Sequence, residues 1–301
     1  MCPVRCRARP GPGAAATPNP GASQAQLFAS PSEVERTLEE LGAYDLILVN
    51  SSAGKDSMAS LEVVATEAAR QGVLDRVVVG HADLGRAEWA GTRELAREQA
   101  ERYGLRFFVV TATGPDLLER VERRGMWPSP QQRWCTSDLK RGPLRRLMTQ
   151  LVREHRERFG ESRVRLLNVM GMRAQESPAR AKRPALRVDP SASNGRREVS
   201  DFLPLHEWSA EEVWERVHAS RIADLIHPAY AAGMPRLSCR FCILAPKSAL
   251  VLSARLNPEL AEEYLRVEQV TGHRFRMDCS IAEVIEAARS GEPVAAGSWS
   301  G

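Results

Sequence analysis

The sequence is poor in the residues that mark several classes of protein. It has 6 cysteines in 301 residues, too few for a disulfide scaffold in a chain of this length, so we expect a reducing, cytoplasmic location. No apolar run approaches the roughly 20 residues that span a bilayer, and we expect no contact with a membrane. The net charge of +4 is small, so the composition permits an anionic substrate but does not require a nucleic acid.

The first 29 residues contain little that could form a core. Five of them are prolines, placed among glycine and alanine, a composition typical of disordered segments. No apolar h-region follows the basic residues 1–9, so we expect no secretory signal. We predict a disordered arm over residues 1–29 and the start of order at Ser30-Pro-Ser-Glu33, a capping box with proline at the first helical position.

One segment has the pattern of an anion-binding loop. An apolar run at residues 46–49 predicts a buried strand, the small residues 51–54 predict a tight turn, and residues 57–70 predict a helix. A strand, a turn and a helix N-terminus together present backbone N–H groups to a phosphate. The Walker form of such a loop needs glycine and a hydroxyl residue where this chain has Val49 and Asp56, so we exclude it.

Each residue of the turn has a chemical task in this interpretation. Gly54 lets phosphate oxygens approach the backbone because it has no Cβ. Lys55 adds a positive charge, Ser52 and Ser57 add hydroxyl donors, and Asp56 could hold a cation that bridges the phosphates. The alternative is an ordinary turn before a helix, with no ligand.

The apolar pattern predicts alternating strands and helices. Continuous apolar strands are typical of a parallel sheet covered on both faces, so we predict a doubly wound, mostly parallel α/β fold, with ligands beyond the carboxyl ends of the strands. Three polar loops, at residues 51–57, 81–85 and 171–177, should meet there. The predicted strands are residues 45–50, 76–81, 106–111 and 164–170, and the predicted helices are residues 56–70, 89–103 and 138–158.

A basic stretch extends from Arg173 to Arg197, with seven basic and two acidic residues. Its prolines and the run at residues 191–195 predict a loop. Such a loop can hold an anionic small substrate or a nucleic-acid backbone, and the alternative is a solvated lid. It lacks the aromatic side chains that stack on bases, which argues against the reading of single-stranded sequence.

The last third of the chain is predicted to be helical. Ser209-Ala-Glu-Glu212 is a capping box that opens a helix, and further helices are predicted at residues 246–256 and 258–271, the second ended by Gly272. We divide the chain into a disordered arm, an α/β domain that carries the anion-binding loop, and a helical C-terminal subdomain that carries a Cys-x-x-Cys pair. Their bounds are residues 1–29, 30–205 and 206–301.

The segment Ser52-Ala-Gly-Lys-Asp-Ser57 resembles the Ser-Gly-Gly-x-Asp-Ser signature of the PP-loop ATP pyrophosphatases, which split ATP between its α and β phosphates. Ala53 replaces the first glycine, and we expect it to be tolerated if its φ is negative. Four further motifs resemble, in the same order, those of the phosphoadenosine phosphosulfate (PAPS) reductase-like branch, with its adenine nucleotide α-hydrolase-like fold. These are His81-Ala-Asp-Leu-Gly85, Gly171-Met-Arg173 with Glu176, Ser177 and Arg180, Leu203-Pro-Leu-His-Glu-Trp208 with Val213 and Trp214, and His227-Pro-Ala-Tyr230 with Gly233 and Cys239-Arg-Phe-Cys242.

The resemblance implies that the chain binds ATP with Mg²⁺. Lys55, Asp56 and Arg173 are the implied catalytic residues, because cations there would stabilise the charge that develops on pyrophosphate. Asp83 is implied to lie near the nucleotide or its magnesium. The implied nucleotide-binding set also contains Ser52, Ala53, Gly54, Ser57, Gly171 and Glu176.

The end of the chain departs from the true reductases. Those enzymes use a cysteine in a C-terminal Glu-Cys-Gly-Leu-His motif, whereas this chain has no cysteine after Cys279. The resemblance then implies adenylation of an anionic acceptor, such as tRNA or DNA, for transfer of sulfur or nitrogen with a sulfur-donor protein as partner. Two alternatives stay open: a thiol-dependent reductase of PAPS or adenylyl sulfate, and a nucleotide-sensing, nucleic-acid-associated subunit without turnover.

The spacing of Cys239 and Cys242 suits two ligands of one metal centre. With Cys135 they are similar to the cysteine sets of sulfur-handling PP-loop proteins that carry an iron–sulfur cluster. We therefore predict that the three sulfur atoms cluster near the nucleotide loop and hold an iron–sulfur cluster or Zn²⁺. The fourth ligand stays open, either Cys279 or a sulfur atom from outside the protein. The alternative for the pair is a structural zinc or a reduced thiol pair, and Cys279 by itself is predicted to be a buried thiol.

Overall fold

Six strands form the central sheet in the computed structural model, which describes residues 32–291 and residue 293. The predicted arm of residues 1–29 lies outside the described residues. The strands are β1 (Leu46–Ser51), β2 (Val77–Asp83), β3 (Arg106–Thr111), β4 (Val164–Val169), β5 (Leu186–Val188) and β6 (Arg197–Phe202).

The sheet is parallel except at one edge. Its strand order is β3-β2-β1-β4-β6-β5, and only β5 pairs antiparallel, with β6. The order reverses between β1 and β4, because β2 and β3 extend the sheet to one side and β4 and β6 to the other. This confirms the predicted doubly wound α/β fold and its four predicted strands.

The prediction of a continuous loop between Arg173 and Arg197 is wrong. Within this stretch lie a short helix, Pro178–Ala181, and β5, and β6 begins at its last residue. The three-residue β5 carries too little apolar pattern to stand out among the prolines and arginines. In β6 the side chains of Val199 and Phe202 are fully buried, although the polar residues Ser200 and Asp201 separate them in the sequence.

Helices cover both faces of the sheet and build the C-terminal part. The helix predicted from residue 89 starts three residues later, because Gly91 before it has φ +79°. The helix predicted from residue 138 begins with a π-helical turn, Ser137–Arg141. The α-helices are α1 (Glu33–Glu39), α2 (Lys55–Arg70), α3 (Thr92–Glu101), α4 (Leu117–Arg124), α5 (Trp134–Thr136), α6 (Gly142–Phe159), α7 (Pro178–Ala181), α8 (Ala210–His218), α9 (Pro228–Ala231), α10 (Lys247–Leu256), α11 (Pro258–Thr271) and α12 (Ile281–Ser290).

Side chains of β1 alternate between two hydrophobic clusters. Ile47 and Val49 pack with residues of α2 and α8 on one face, and Leu46 and Leu48 pack with α6 on the other. This is the burial expected when a strand is covered on both sides. None of the described helices combines the length and the apolar character that crossing a membrane requires.

A third cluster joins the C-terminal helices to α4. Tyr264 of α11 is fully buried and stacks on Trp127 at 5.4 Å between ring centroids, and Phe275 meets Trp127 edge-on at 5.1 Å. Residues 239–245 pack against the same cluster. The division into domains at residues 205 and 206 stays a prediction.

Candidate functional site

The predicted anion-binding loop lies at the point where the strand order reverses. β1 ends at Ser51, α2 begins at Lys55, and β2 and β4 flank β1 on its two sides. Crevices at such switch points, beyond the carboxyl ends of the strands, are where open α/β sheets bind ligands. The loop therefore opens where the fold itself favours a ligand.

The backbone of Ala53 is left-handed. Its φ is +56°, and it is the only non-glycine residue with positive φ among those described. The condition for tolerance, a negative φ, is therefore not met. An L-residue with a Cβ pays about 1–2 kcal/mol for this conformation, and the related signature has glycine at this position. The chain has thus kept a turn whose geometry favours glycine without keeping the glycine.

Packing explains why position 54 is a glycine. Its φ of −85° is open to any residue, but a Cβ would lie 3.2 Å from the Cβ of Leu237 and 3.3 Å from the Oη of Tyr230. The sequence predicts a glycine here for the close approach of a phosphate, and the structure adds a second reason, which is packing. The segment at residues 230–237 sits directly on the loop, and glycine makes room for it.

Three of the predicted residues form one buried ion cluster. Lys55 Nζ donates to both carboxylate oxygens of Asp56, at 2.9 and 2.8 Å, and Arg173 Nε donates to Asp56 Oδ1 at 2.8 Å. Their side chains are 5%, 14% and 7% exposed. Two cations thus share one carboxylate, which leaves the cluster positively charged at the start of α2.

The cluster shifts the pKa values of its members. Burial raises the pKa of Asp56, but the charges of Lys55 and Arg173 outweigh burial and hold this pKa below its usual value. Burial lowers the pKa of Lys55, and Asp56 only partly offsets this effect. Asp56 is therefore held as a carboxylate by its neighbours.

Gly171 brings the loop after β4 against the start of α2. A Cβ at this position would lie 2.6 Å from the backbone oxygen of Asp56, a distance that no side chain tolerates. In the same loop Glu176 Oε2 accepts from the backbone N–H of Arg173 at 2.9 Å. Glu176 also pairs with Arg180 and, at 2.6 Å, with Arg236. Glu176 therefore fixes the loop that carries Arg173.

Asp83 lies at the end of β2 and caps its own turn. Its Oδ1 accepts from the backbone N–H of Gly85 at 2.8 Å, and Arg93 lies 3.5 Å from its other oxygen. Within residues 32–291 no hydrogen bond joins Asp83 to the ion cluster. Its side chain is 19% exposed, so one face stays open to solvent.

A cavity of about 770 Å³ adjoins the loop. Asn50 and Ser52 at the end of β1 and Asn168 of β4 form part of its wall. Eight basic and three acidic side chains also line it, so an anion is attracted there. The basic residues are Arg133, Lys140, Arg141, Arg145, Arg180, Arg183, Arg187 and Arg236, and the acidic ones are Glu88, Asp189 and Asp201.

The three predicted cysteine ligands line the same cavity. Burial raises the pKa of Cys135 and Cys242, and raises that of Cys239 to about 11, so the thiols hold their protons at neutral pH. Over the described part of the chain, no three side chains of His, Cys, Asp and Glu are grouped so that they could hold one metal ion. The predicted iron–sulfur or zinc centre is therefore not supported. Cys279 is fully buried, as predicted.

The phosphoadenosine phosphosulfate reductase domain matches residues 46–245. The chain belongs to this family. A relative, an uncharacterized 37.8 kDa protein in the gpa 5′ region of Escherichia phage 186, is 31% identical over 169 residues, which are 56% of this chain and 47% of that protein. The chain thus matches about half the length of this relative.

Two solved structures are similar at low sequence identity. PAPS reductase from Candida auris, in a phosphate complex, has a TM-score of 0.43 and 16% identity over 71% of this chain and 90% of that one. FMN adenylyltransferase from Candida glabrata, with FAD and inorganic pyrophosphate, has a TM-score of 0.39 and 12% identity over 64% and 59% of the two chains. The family match confirms the resemblance drawn from the motifs.

The family motifs do not assign every group at the site. His81 and Glu88 form a hydrogen-bonded pair, with 3.1 Å between Nε2 and Oε2, and Glu88 lines the cavity. Arg236 pairs with Glu176, and Tyr230 contacts the loop. Tyr230 stands in a motif that could have marked it, but nothing local in the sequence signals Arg236 or Glu88.

Proposed function

We propose that the protein binds ATP with Mg²⁺ at residues 51–57, cleaves it to AMP and pyrophosphate, and adenylates an anionic acceptor. Sulfur or nitrogen from a second substrate then displaces AMP. The observation that carries the proposal is the buried cluster of Lys55, Asp56 and Arg173 at the switch point of the sheet, beside a cation-lined cavity. Adenylation makes a poor leaving group of the acceptor into a good one.

The cluster suits the charge changes of this reaction. Cleavage between the α and β phosphates leaves new charge on pyrophosphate, which preplaced cations stabilise. A phosphate could replace Asp56 as the partner of Lys55 and Arg173. That exchange would free the Asp56 carboxylate for Mg²⁺, which proteins hold with one or two carboxylates together with substrate phosphates. Asp83 is a second candidate for such a ligand.

The acceptor in this proposal is anionic, because basic side chains outnumber acidic ones around the cavity. A nucleic acid such as tRNA or DNA fits this charge, and a sulfur-donor protein would supply the sulfur. Residues 30–205 would carry the nucleotide site, and residues 206–301 would supply the wall that holds Arg236, Cys239 and Cys242.

A second function is favoured by one observation, the position of the thiols. Cys135, Cys239 and Cys242 line the cavity beside the nucleotide loop, as a thiol-dependent reductase of PAPS or adenylyl sulfate would require. The raised pKa values of these thiols count against it, because the thiolate is the nucleophile.

The test measures binding first and products second. Titration calorimetry with ATP and Mg²⁺ should give saturable binding, and Lys55→Ala should weaken it at least tenfold, which is about 1.4 kcal/mol. Lys247→Ala is the control, because Lys247 is an exposed lysine at the start of α10.

Pyrophosphate release from ATP would favour adenylation, and sulfite release from PAPS or adenylyl sulfate would favour the reductase. Equal ATP affinity in the wild type and Lys55→Ala would refute the assignment of the loop.

A further inference from the structure

Tyr230 contacts the proposed nucleotide loop, residues 51–57, although it lies 175 residues after Lys55 in the sequence. It lies in α9, and its Oη accepts a hydrogen bond from the backbone N–H of Lys55 at 2.9 Å. Its ring packs edge-on against Trp214, with 4.9 Å between centroids. The phenol is thus anchored at the first residue of α2, where a loop of this kind offers its N–H groups to an anion.

Among the described residues, the hydroxyl of Tyr230 accepts a hydrogen bond but donates none. A tyrosine hydroxyl has one O–H to donate and an oxygen that accepts, and the oxygen accepts from Lys55 N–H. Burial raises the pKa of Tyr230 to about 12, although the backbone amides of Lys55 and Leu237 act to lower it. The proton therefore stays on the oxygen at neutral pH. Within residues 32–291, no hydrogen bond gives it an acceptor.

We propose that the Tyr230 hydroxyl donates a hydrogen bond to a phosphate oxygen of the bound nucleotide. The inference rests on the proposed binding of ATP at residues 51–57. The hydroxyl oxygen accepts a hydrogen bond from the backbone N–H of Lys55. The hydroxyl hydrogen would then be donated to the phosphate. Tyr230 is then a binding residue supplied to the loop by the C-terminal part of the chain.

The surroundings of the hydroxyl agree with this role. The Oη lies 3.3 Å from the place where a Cβ of Gly54 would stand, so it adjoins the turn itself. The charges of Asp56 and Arg236 both act on the phenol, and Arg236 belongs to the segment at residues 236–238 that lines the cavity. The ring is fixed by Trp214, so the hydroxyl needs little ordering on binding.

The decisive variant is Tyr230→Phe, which keeps the ring and removes only the hydroxyl. We expect its ATP affinity, measured by calorimetry with Mg²⁺, to fall about tenfold, as for a lost hydrogen bond to a charged group. Tyr103→Phe is the control, because it also loses a bonded hydroxyl, the one that contacts Glu62. Its ATP affinity should not change. Unchanged affinity in Tyr230→Phe would overturn the inference, and so would tighter binding, which would mean that the hydroxyl competes with phosphate for the Lys55 amide.

A spectroscopic signal separates a contact from a structural effect. Inorganic pyrophosphate does not absorb near 280 nm, so its addition to the wild type should give a tyrosine difference spectrum that Tyr230→Phe lacks and Tyr103→Phe keeps. The same spectrum in all three proteins would overturn the inference. A wild type that binds neither ATP nor pyrophosphate would refute the proposed function itself, whereas normal binding by wild type and Tyr230→Phe alike would refute only the role of the hydroxyl.

Discussion

The predicted anion-binding loop at residues 51–57 and the thiol-bearing wall of the cavity differ in whether they hold buried charges. At the loop, Lys55 and Arg173 are buried and already share Asp56. At the wall, burial raises the pKa of Cys135, Cys239 and Cys242, and the described residues contain no three-ligand grouping for a metal. A buried charge must keep its partner, because an unpaired buried charge is costly, whereas a neutral thiol has no such requirement. The loop is therefore the better guide to function.

The strongest test of this contrast is Asp56→Asn. The substitution leaves Lys55 and Arg173 buried without a counter-charge, so we expect a loss of about 3–5 kcal/mol in the free energy of unfolding at pH 7. Urea denaturation measures it. Asp75→Asn is the control, because Asp75 is exposed, and it should change stability by less than about 0.5 kcal/mol.

The stability difference between the wild type and Asp56→Asn should depend on pH. The pKa of Asp56 is lowered in the folded protein, so its stabilising effect is present above the unfolded pKa of about 3.9 and is lost as the pH falls through the folded pKa. The stability difference between wild type and Asp56→Asn should therefore shrink below about pH 4. A difference that stays constant down to pH 2.5 would show that the carboxylate charge is not what stabilises the cluster.

A smaller loss is expected from Gly171→Ala. The new Cβ would stand 2.6 Å from the backbone oxygen of Asp56, and because backbone must move, we expect a loss of about 1–3 kcal/mol together with weaker ATP binding. Gly195→Ala is a matched control, since nothing lies within 4 Å of a Cβ there. Equal unfolding midpoints for the two variants would mean that the loop after β4 does not depend on this close approach.

The two regions were also unequally predictable from the sequence. The loop is contiguous, so the strand, the turn and Lys55 could be read from one segment. Sequence spacing could not give the packing partner of Gly54 or the φ of Ala53, because both depend on contacts made across the fold. Cys135 lies more than 100 residues before the pair Cys239 and Cys242, so the sequence carries no information on how close its sulfur atom lies to theirs.

The strands were also unequally predictable from the sequence. Four strands could be predicted, three of them because burial on both faces gives continuous apolar runs. β6 was missed because polar residues such as Glu198 and Asp201 interrupt its apolar positions. β5 was missed because it has only three residues and its pairing with β6 is set by the neighbouring strand.

A smaller effect, of opposite sign, is expected from Ala53→Gly. Glycine removes about 1–2 kcal/mol of left-handed strain, and its extra freedom in the unfolded chain returns about 0.4–1 kcal/mol. We therefore expect no loss and a gain of about 0.5 kcal/mol in urea denaturation. Ala59→Gly, in the middle of α2 and equally buried, should instead lose about 1 kcal/mol. A loss in both variants would show that strain at Ala53 is unimportant.

The smallest effect is expected from Cys135→Ser. If the loop alone holds the nucleotide, removal of a thiol from the wall should leave the ATP affinity within about twofold of the wild type. The measurement is the same calorimetric titration with ATP and Mg²⁺. Lys55→Ala is the positive control, because its ATP affinity should fall in the same assay. A loss of tenfold or more in Cys135→Ser would mean that the thiol wall contacts the nucleotide. The contrast between the two regions would then be overturned, because binding would depend on both, and the reductase would become the stronger candidate.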